Sequence, residues 1–211
     1  MKQKSVEGTF LASVVMSSPG PIMVGAALFF GRSSTQLADF IRRTAELVAI
    51  IVSWIVFRIL HKKGEPDAAY KNKLEHITNL CVGVAMCLSG AAMLFIALFS
   101  HNAKKGNVIP GLVIAVLGVT TNSWFWLRYR KLNREKPDRI LSVQSRLYRA
   151  KSLVDACVIT ALTVVAYTPA SFAARYADLG GSIIVAAYLI ANGIITIRGT
   201  NTEANYNSSL P

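Results

Sequence analysis

Apolar residues are grouped into six long segments, which are separated by shorter polar stretches. Several of these segments exceed the roughly 18 predominantly apolar residues that mark a bilayer-spanning helix. The predicted spans are residues 8–30, 37–60, 74–99, 108–127, 149–168 and 178–197. The pattern therefore predicts an all-α polytopic membrane protein, with a six-helix transmembrane domain over residues 1–200 and a short cytoplasmic tail over 201–211.

A Ser-Pro-Gly-Pro run at residues 18–21 interrupts the first apolar segment. Proline has no backbone N–H and bends a helix, but a membrane helix tolerates it when neighbouring helices satisfy the freed carbonyl. Glu7 and this break are both atypical of a cleaved signal peptide. We therefore expect an uncleaved first helix that bends at Pro19–Pro21.

The second span carries four charged residues in its first half: Asp39, Arg42, Arg43 and Glu46. At 100° per residue they share a stripe about 100° wide, and the opposite face is apolar. A charge at the centre of a membrane helix costs roughly 2.5–3.5 kcal/mol, so such residues face a bundle interior or a water-filled path. Span two is therefore predicted to turn this stripe inward.

Two interpretations of the stripe remain open. The Asp39–Arg43 and Arg42–Glu46 pairs have i,i+4 spacing, so they can close within the helix and fix helix packing. Alternatively, Glu46 titrates and releases Arg42, which would couple proton movement to solute movement. Lys151 and Asp155 form a similar i,i+4 pair in span five. The candidate transport-path residues are thus Asp39, Arg42, Arg43, Glu46, Lys151 and Asp155.

Composition and charge distribution support a membrane location. The chain is 53% hydrophobic and 16% charged, with a mean hydropathy of +0.42. Its net charge of +12 is unevenly distributed, because 17 of the 23 Lys and Arg residues lie on one side of the predicted topology. The positive-inside rule then places both termini in the cytoplasm of a multi-pass cell (inner) membrane protein. This distribution argues against nucleic acid binding and makes the lipid bilayer the expected partner.

The longest connector, residues 129–148, is strongly basic and is predicted to be a cytoplasmic helix–turn near anionic headgroups. Span four ends in Trp124, Phe125, Trp126 and Tyr129, which is typical of an interfacial aromatic belt.

Histidines and cysteines do not form a ligand pattern in the sequence. Cys81, Cys87 and Cys157 lie in apolar spans without zinc or redox spacing, and His61, His76 and His101 lie at span ends or in connectors. The sequence also has no nucleophile–base or metal constellation. We therefore expect neither an enzyme nor a bound cofactor.

Two motifs resemble the cation diffusion facilitator (cation efflux) family. LADFIRRTAE at residues 37–46 resembles the second-helix pattern L-A-D-x-x-[HD]-x-x-x-D. RAKSLVDACV at residues 149–158 resembles the fifth-helix pattern R-A-D-x-x-H-x-x-x-D, and Lys73-Leu74-Glu75 is similar to the K-x-E that opens the third helix. The resemblance covers residues 5–200.

This resemblance implies the six-helix transmembrane fold of that family, here without its C-terminal cytoplasmic domain. It implies an antiporter that exchanges a divalent cation for protons, with helices two and five lining the path. The divalent cation would be a transported substrate. A homodimer is also implied.

The chain departs from the family at the metal site itself. The positions that supply four His or Asp ligands in the family are here Arg42, Glu46, Val154 and Val158. A divalent ion about 4 Å from a guanidinium is repelled by roughly 8 kcal/mol at an effective dielectric constant of 20, and zinc needs three or four N, O or S ligands. The standard site is therefore expected to be diverged or lost.

Two functions are consistent with this departure. The first is a secondary transporter with a changed site, to which Glu46 and Asp155 could still contribute carboxylate ligands. The second is a transport-inactive partner or regulatory subunit, in a heterodimer with a complete cation transporter.

Overall fold

The computed structural model describes residues 2–30, 34–62, 67–99, 108–167 and 172–208. These residues form seven helices. They are α1 (Lys2–Ser17), α2 (Pro19–Phe30), α3 (Ser34–Lys62), α4 (Ala68–Phe99), α5 (Val108–Glu135), α6 (Arg139–Tyr167) and α7 (Phe172–Ser208). The described chain contains no strand, so the predicted all-α class is confirmed.

Helices α1 and α2 are the two halves of the first predicted span, and Ser18 separates them. Pro19 and Pro21 cannot donate backbone hydrogen bonds, so the helical ladder is interrupted here. The Ser18 hydroxyl donates to the Val14 carbonyl at 2.7 Å, which satisfies one acceptor near the break. The Ser18 N–H also reaches that carbonyl, at 3.0 Å.

Helices α4 and α7 pack closely because glycines bring their backbones together. A Cβ placed on Gly193 would lie 2.7 Å from the Gly83 carbonyl oxygen, and one placed on Gly90 would lie 2.8 Å from the Ala186 carbonyl oxygen. Neither space would hold a methyl group. Small residues at such crossings are typical of helix association within a membrane.

Helices α5 and α6 form an antiparallel hairpin with a tight turn. The Asp138 carboxylate caps the start of α6 by accepting from the Ile140 N–H at 2.8 Å, and the Asn133 side-chain oxygen accepts from the Asp138 N–H at 2.9 Å. The connector predicted near the headgroups is therefore helical on both sides of the turn. Its inner face is buried in the bundle at Leu132, Ile140 and other apolar residues, while its basic residues remain on the outside.

The exposed surface of the bundle is largely apolar, as expected of a protein that faces lipid. Exposed side chains include Leu11, Val48, Ile55, Val84 and Ile184. Four helical stretches in the described chain are long and apolar enough to cross a membrane: Ser5–Ala26, Asp39–His61, Ala68–Leu98 and Leu179–Arg198. Both α5 and α6 carry basic residues beside their turn, and α6 also carries Lys151 and Asp155 at the charged side of the bundle. With the α1–α2 pair counted as one, they complete a six-helix polytopic bundle.

Candidate functional site

A cavity of about 620 Å³ lies between the helices and is partly open to the surface of the bundle; parts of every helix from α1 to α7 line it. Its charged lining residues are Arg42, Arg43, Glu46, Lys151 and Asp155, and we call it the charged cavity. The structure thus brings five of the six predicted path residues to one cavity. The sixth, Asp39, is bonded to two of them.

Asp39 is shared by the two arginines of the stripe. Its Oδ1 accepts from Arg42 Nη2 at 2.9 Å and from Arg42 Nε at 3.2 Å, and its Oδ2 accepts from Arg43 Nε at 2.8 Å. The Asp39–Arg43 pair forms as the spacing predicted. The predicted Arg42–Glu46 pair does not form, because Arg42 turns back to Asp39 and Glu46 points across the bundle to other helices.

Glu46 joins three helices. Its Oε1 accepts from Ser89 Oγ on α4 at 2.8 Å, and its Oε2 lies 3.4 Å from Lys151 Nζ on α6. The predicted pairing of Lys151 with Asp155 is therefore wrong. Glu46 is more buried than Asp155. Leaving Glu46 without a cation would therefore cost more free energy than leaving Asp155 without one, so Lys151 pairs with Glu46 and not with Asp155 on its own helix.

Asp155 faces the same cavity with different partners. Its Oδ2 accepts from Asn122 Nδ2 on α5 at 2.6 Å. Gly118, one turn earlier on α5, leaves the space for this carboxylate, because a Cβ there would lie 2.7 Å from Oδ2. Among the described side chains, no Lys or Arg nitrogen lies within ion-pair distance of Asp155.

The four positions that match the family's ligands all line the charged cavity. Arg42, Glu46, Val154 and Val158 contribute to its wall, so the fold places them where a shared ion site would be. The chemistry at these positions is different, because one carboxylate, one cation and two aliphatic side chains do not make a metal cage. Within the described residues, no group of three or more His, Cys, Asp and Glu side chains could hold a metal ion.

The cysteines and histidines, for which the sequence predicted no metal site, lie elsewhere. Cys81, Cys87 and Cys157 form no disulfide bond and are of intermediate exposure. His61 Nε2 lies 3.9 Å from Asp138 Oδ2, at the end of the bundle where α5 turns into α6. His101 lies outside the described residues.

An aromatic layer adjoins the charged cavity and was not predicted from the sequence. It consists of Phe10, Phe57, Phe125, Tyr129 and Tyr148, all almost completely buried, with neighbouring ring centroids 5.1–6.4 Å apart. Phe125 and Tyr129 were expected in an interfacial belt. They face the bundle interior because α5 continues well past the predicted end of span four.

Hydroxyl groups connect the aromatic layer to the first helix. Ser13 Oγ lies 2.9 Å from the Tyr129 hydroxyl, and Ser17 Oγ lies 3.3 Å from the Tyr148 hydroxyl. Lys151 Nζ lies 5.2 Å from the centroid of the Tyr148 ring, so it contacts both the layer and Glu46. The layer fills the bundle between the charged cavity and the α5–α6 turn. No periodic signal in the sequence distinguishes these rings from lipid-facing aromatics.

Charged side chains around a cavity, in a bundle whose outer face is apolar, are typical of polytopic membrane proteins of the transporter class. Comparison with family models then identifies the family. The model for the cation efflux transmembrane domain matches residues 10–200, and the chain therefore belongs to the cation efflux family. Comparison with curated proteins gives no match. The family is one of cation transporters, so a cation is the expected cargo.

Proposed function

We propose that this protein is a secondary transporter that moves a cation across the membrane in exchange for protons, by way of the charged cavity. The observation that supports this proposal best is the position of Glu46. This carboxylate stands at a family ligand position and lines a cavity of about 620 Å³, whereas a purely structural ion pair would be expected in a dry core. Acidic residues that line internal cavities of membrane bundles typically mark ion or proton pathways.

The site has diverged from the family's tetrahedral metal cage. A divalent ion at the family's position would meet the Arg42 guanidinium, with the repulsion of roughly 8 kcal/mol derived above. It would also lack ligands from Val154 and Val158. A divalent cargo would therefore have to bind elsewhere in the cavity, through Glu46 or Asp155.

Lys151 gives Glu46 a way to couple cation and proton movement. The Lys151 ammonium lies 3.4 Å from Glu46 and occupies the place that a bound cation would take. A cargo ion that reaches Glu46 must displace the Lys151 ammonium. Protonation of Glu46 would remove the negative charge that holds the ammonium or the cargo ion. Exchange follows because the cargo and the proton compete for the same carboxylate.

The topology we propose places both termini and the α5–α6 turn in the cytoplasm of the cell membrane. The aromatic layer then lies on the cytoplasmic side of the charged cavity. In this arrangement the structure represents a state closed towards the cytoplasm. Alternating access would require α1 to separate from α5 and α6 at the Ser13–Tyr129 and Ser17–Tyr148 contacts.

Flux measurements in liposomes that contain only the purified protein test this proposal. Zinc, manganese, iron and proton fluxes are measured for the wild type and for Glu46→Gln, which keeps the shape of the side chain and removes its charge. Glu7→Gln is the matched control, because Glu7 pairs with Arg58 on the outside of the bundle at 3.3 Å. We expect Glu46→Gln to abolish cation-driven proton flux and Glu7→Gln to retain it.

The loss of the standard ligands also favours a second function. The protein could be a transport-inactive partner that forms a heterodimer with a complete cation transporter, in place of the homodimer proposed for an active transporter. Absence of cation flux through the purified protein alone, together with altered flux when a complete transporter is reconstituted with it, would support the partner function. It would contradict transport by this chain.

A further inference from the structure

Asp155 differs from the other carboxylates of the site because it forms no ion pair within 4 Å among the described side chains, although Arg42 and Lys151 are near enough to act on it electrostatically. Asp39 is bonded to two guanidinium groups, and Glu46 is paired with Lys151. Asp155 has one hydrogen bond, from Asn122, and no Lys or Arg nitrogen within 4 Å among the described side chains. It also lines the charged cavity. A carboxylate in this position is available to a cation that enters from the cavity.

The wall that α5 contributes to the charged cavity includes two side chains that carry oxygen atoms, Asn122 and Thr121. Asn122 holds one carboxylate oxygen, and Thr121, the preceding residue, lines the same cavity. Gly118 removes the side chain that would otherwise occupy the carboxylate's position. Carboxylate, amide and hydroxyl oxygens are hard ligands, which suit alkali and alkaline-earth ions better than zinc.

Charge balance around the cavity favours a monovalent cation over a divalent one. Arg42, Arg43 and Lys151 carry three positive charges, and Asp39, Glu46 and Asp155 carry three negative ones. A monovalent ion at Asp155 would leave the group with one excess positive charge, and a divalent ion would leave two. Since Arg42 and Lys151 repel the bound ion, this repulsion is twice as large for a divalent ion.

We infer that Asp155 and Asn122 form a binding site for a small monovalent metal cation, of the Na⁺ or Li⁺ type. This inference rests on the proposed function and names the substrate class of that same cavity. The site differs from the family's ligand set. Asp155 does not occupy a ligand position itself; it follows Val154, which does. Asn122 lies on α5, outside both motifs.

Binding of ²²Na⁺ to the purified full-length protein tests the site without requiring transport. Unlabelled Li⁺, K⁺, Mg²⁺, Mn²⁺ and Zn²⁺ serve as competitors. We expect saturable ²²Na⁺ binding that Li⁺ displaces and that Zn²⁺ and Mn²⁺ do not. Asp155→Asn should weaken it by about tenfold or more, because it removes the charge that holds the ion. Asp67→Asn, at an exposed position before α4, is the matched control and should bind as the wild type.

A pair of glycine variants separates loss of the site from loss of the fold. Gly118→Ala would place a methyl group 2.7 Å from the Asp155 oxygen and displace the carboxylate, so it should also weaken ²²Na⁺ binding. Gly180→Ala meets nothing within 4 Å and should leave binding unchanged. Gel filtration and thermal melting establish that each variant is folded.

Several outcomes would overturn the inference. They are no saturable ²²Na⁺ binding by the folded wild type, binding that is unchanged in both Asp155→Asn and Gly118→Ala, or displacement by divalent ions at lower concentrations than by Li⁺. Divalent flux that requires Glu46 but not Asp155 would also overturn it and leave the proposed transporter function intact. Intact ²²Na⁺ binding without flux of any cation would instead remove the transporter function and retain the binding site.

Discussion

The buried Glu46–Lys151 pair gives the most quantitative prediction. Its atoms are 3.4 Å apart, and the side chains are 11% and 15% exposed. At an effective dielectric constant of 20, the Coulomb attraction at this distance is about 5 kcal/mol. Removing one partner of a buried pair typically costs about 3–5 kcal/mol, because the other charge is left uncompensated.

A double-mutant cycle isolates this interaction. Glu46→Gln keeps an acceptor for Ser89, and Lys151→Met keeps an unbranched side chain of similar length. We expect each single variant to lower the free energy of unfolding by about 3 kcal/mol or more. The double variant should recover part of the loss, with a coupling energy of at least about 2 kcal/mol. Side chains that are joined by a hydrogen bond alone in a membrane bundle have an average coupling energy of only about 0.6 kcal/mol.

The Glu7–Arg58 pair is a control at nearly the same distance. Its atoms are 3.3 Å apart, but the side chains are 42% and 53% exposed, so a coupling of only about 0.2–1 kcal/mol is expected. Unfolding is followed by far-UV circular dichroism during titration of detergent micelles with sodium dodecyl sulfate. The two cycles change charge identically, so effects of the anionic denaturant on charge cancel between them. Equal coupling energies in the two cycles would refute a buried, poorly screened pair.

Two further predictions concern packing. Gly193→Ala should destabilise the protein by about 1–3 kcal/mol, because the added methyl group would lie 2.6 Å from Cys87 Sγ; Gly8→Ala, with nothing within 4 Å, should be neutral or stabilising in the same unfolding titration. Equal effects would contradict the close α4–α7 contact. Tyr129→Phe should cost about 0.5–1.5 kcal/mol in that titration, because it removes the buried hydrogen bond to Ser13. A variant as stable as the wild type would contradict that bond.

Much of the fold could be predicted because membrane insertion constrains the sequence strongly. Long apolar segments predicted the helical class, and the Pro19–Pro21 run predicted where the first helix is interrupted. The inward direction of the charged stripe followed from the cost of exposing charge to lipid. Family membership was predictable from two short motifs at the correct separation, and the match over residues 10–200 confirms it.

The partners of each charge could not be predicted from spacing along one helix. Glu46 and Arg42 are correctly spaced for an i,i+4 pair, yet Glu46 pairs with Lys151, which is 105 positions later in the chain. Such pairs depend on helix rotation and burial, which local periodicity does not contain. The contact between Asn122 and Asp155 likewise joins two helices, α5 and α6, and spacing along either helix does not reveal it.

Transport through the charged cavity requires that it is a water-filled path, closed towards the cytoplasm in this state. It is tested most directly by cysteine accessibility in a background that lacks Cys81, Cys87 and Cys157. Val158→Cys lines the cavity, and Leu153→Cys lies on the exposed outer face of the same helix. We predict that a membrane-impermeant maleimide added from the non-cytoplasmic side labels Val158→Cys and leaves Leu153→Cys unlabelled. An unreactive Val158→Cys would contradict transport through this cavity, because the cavity would then be a dry core.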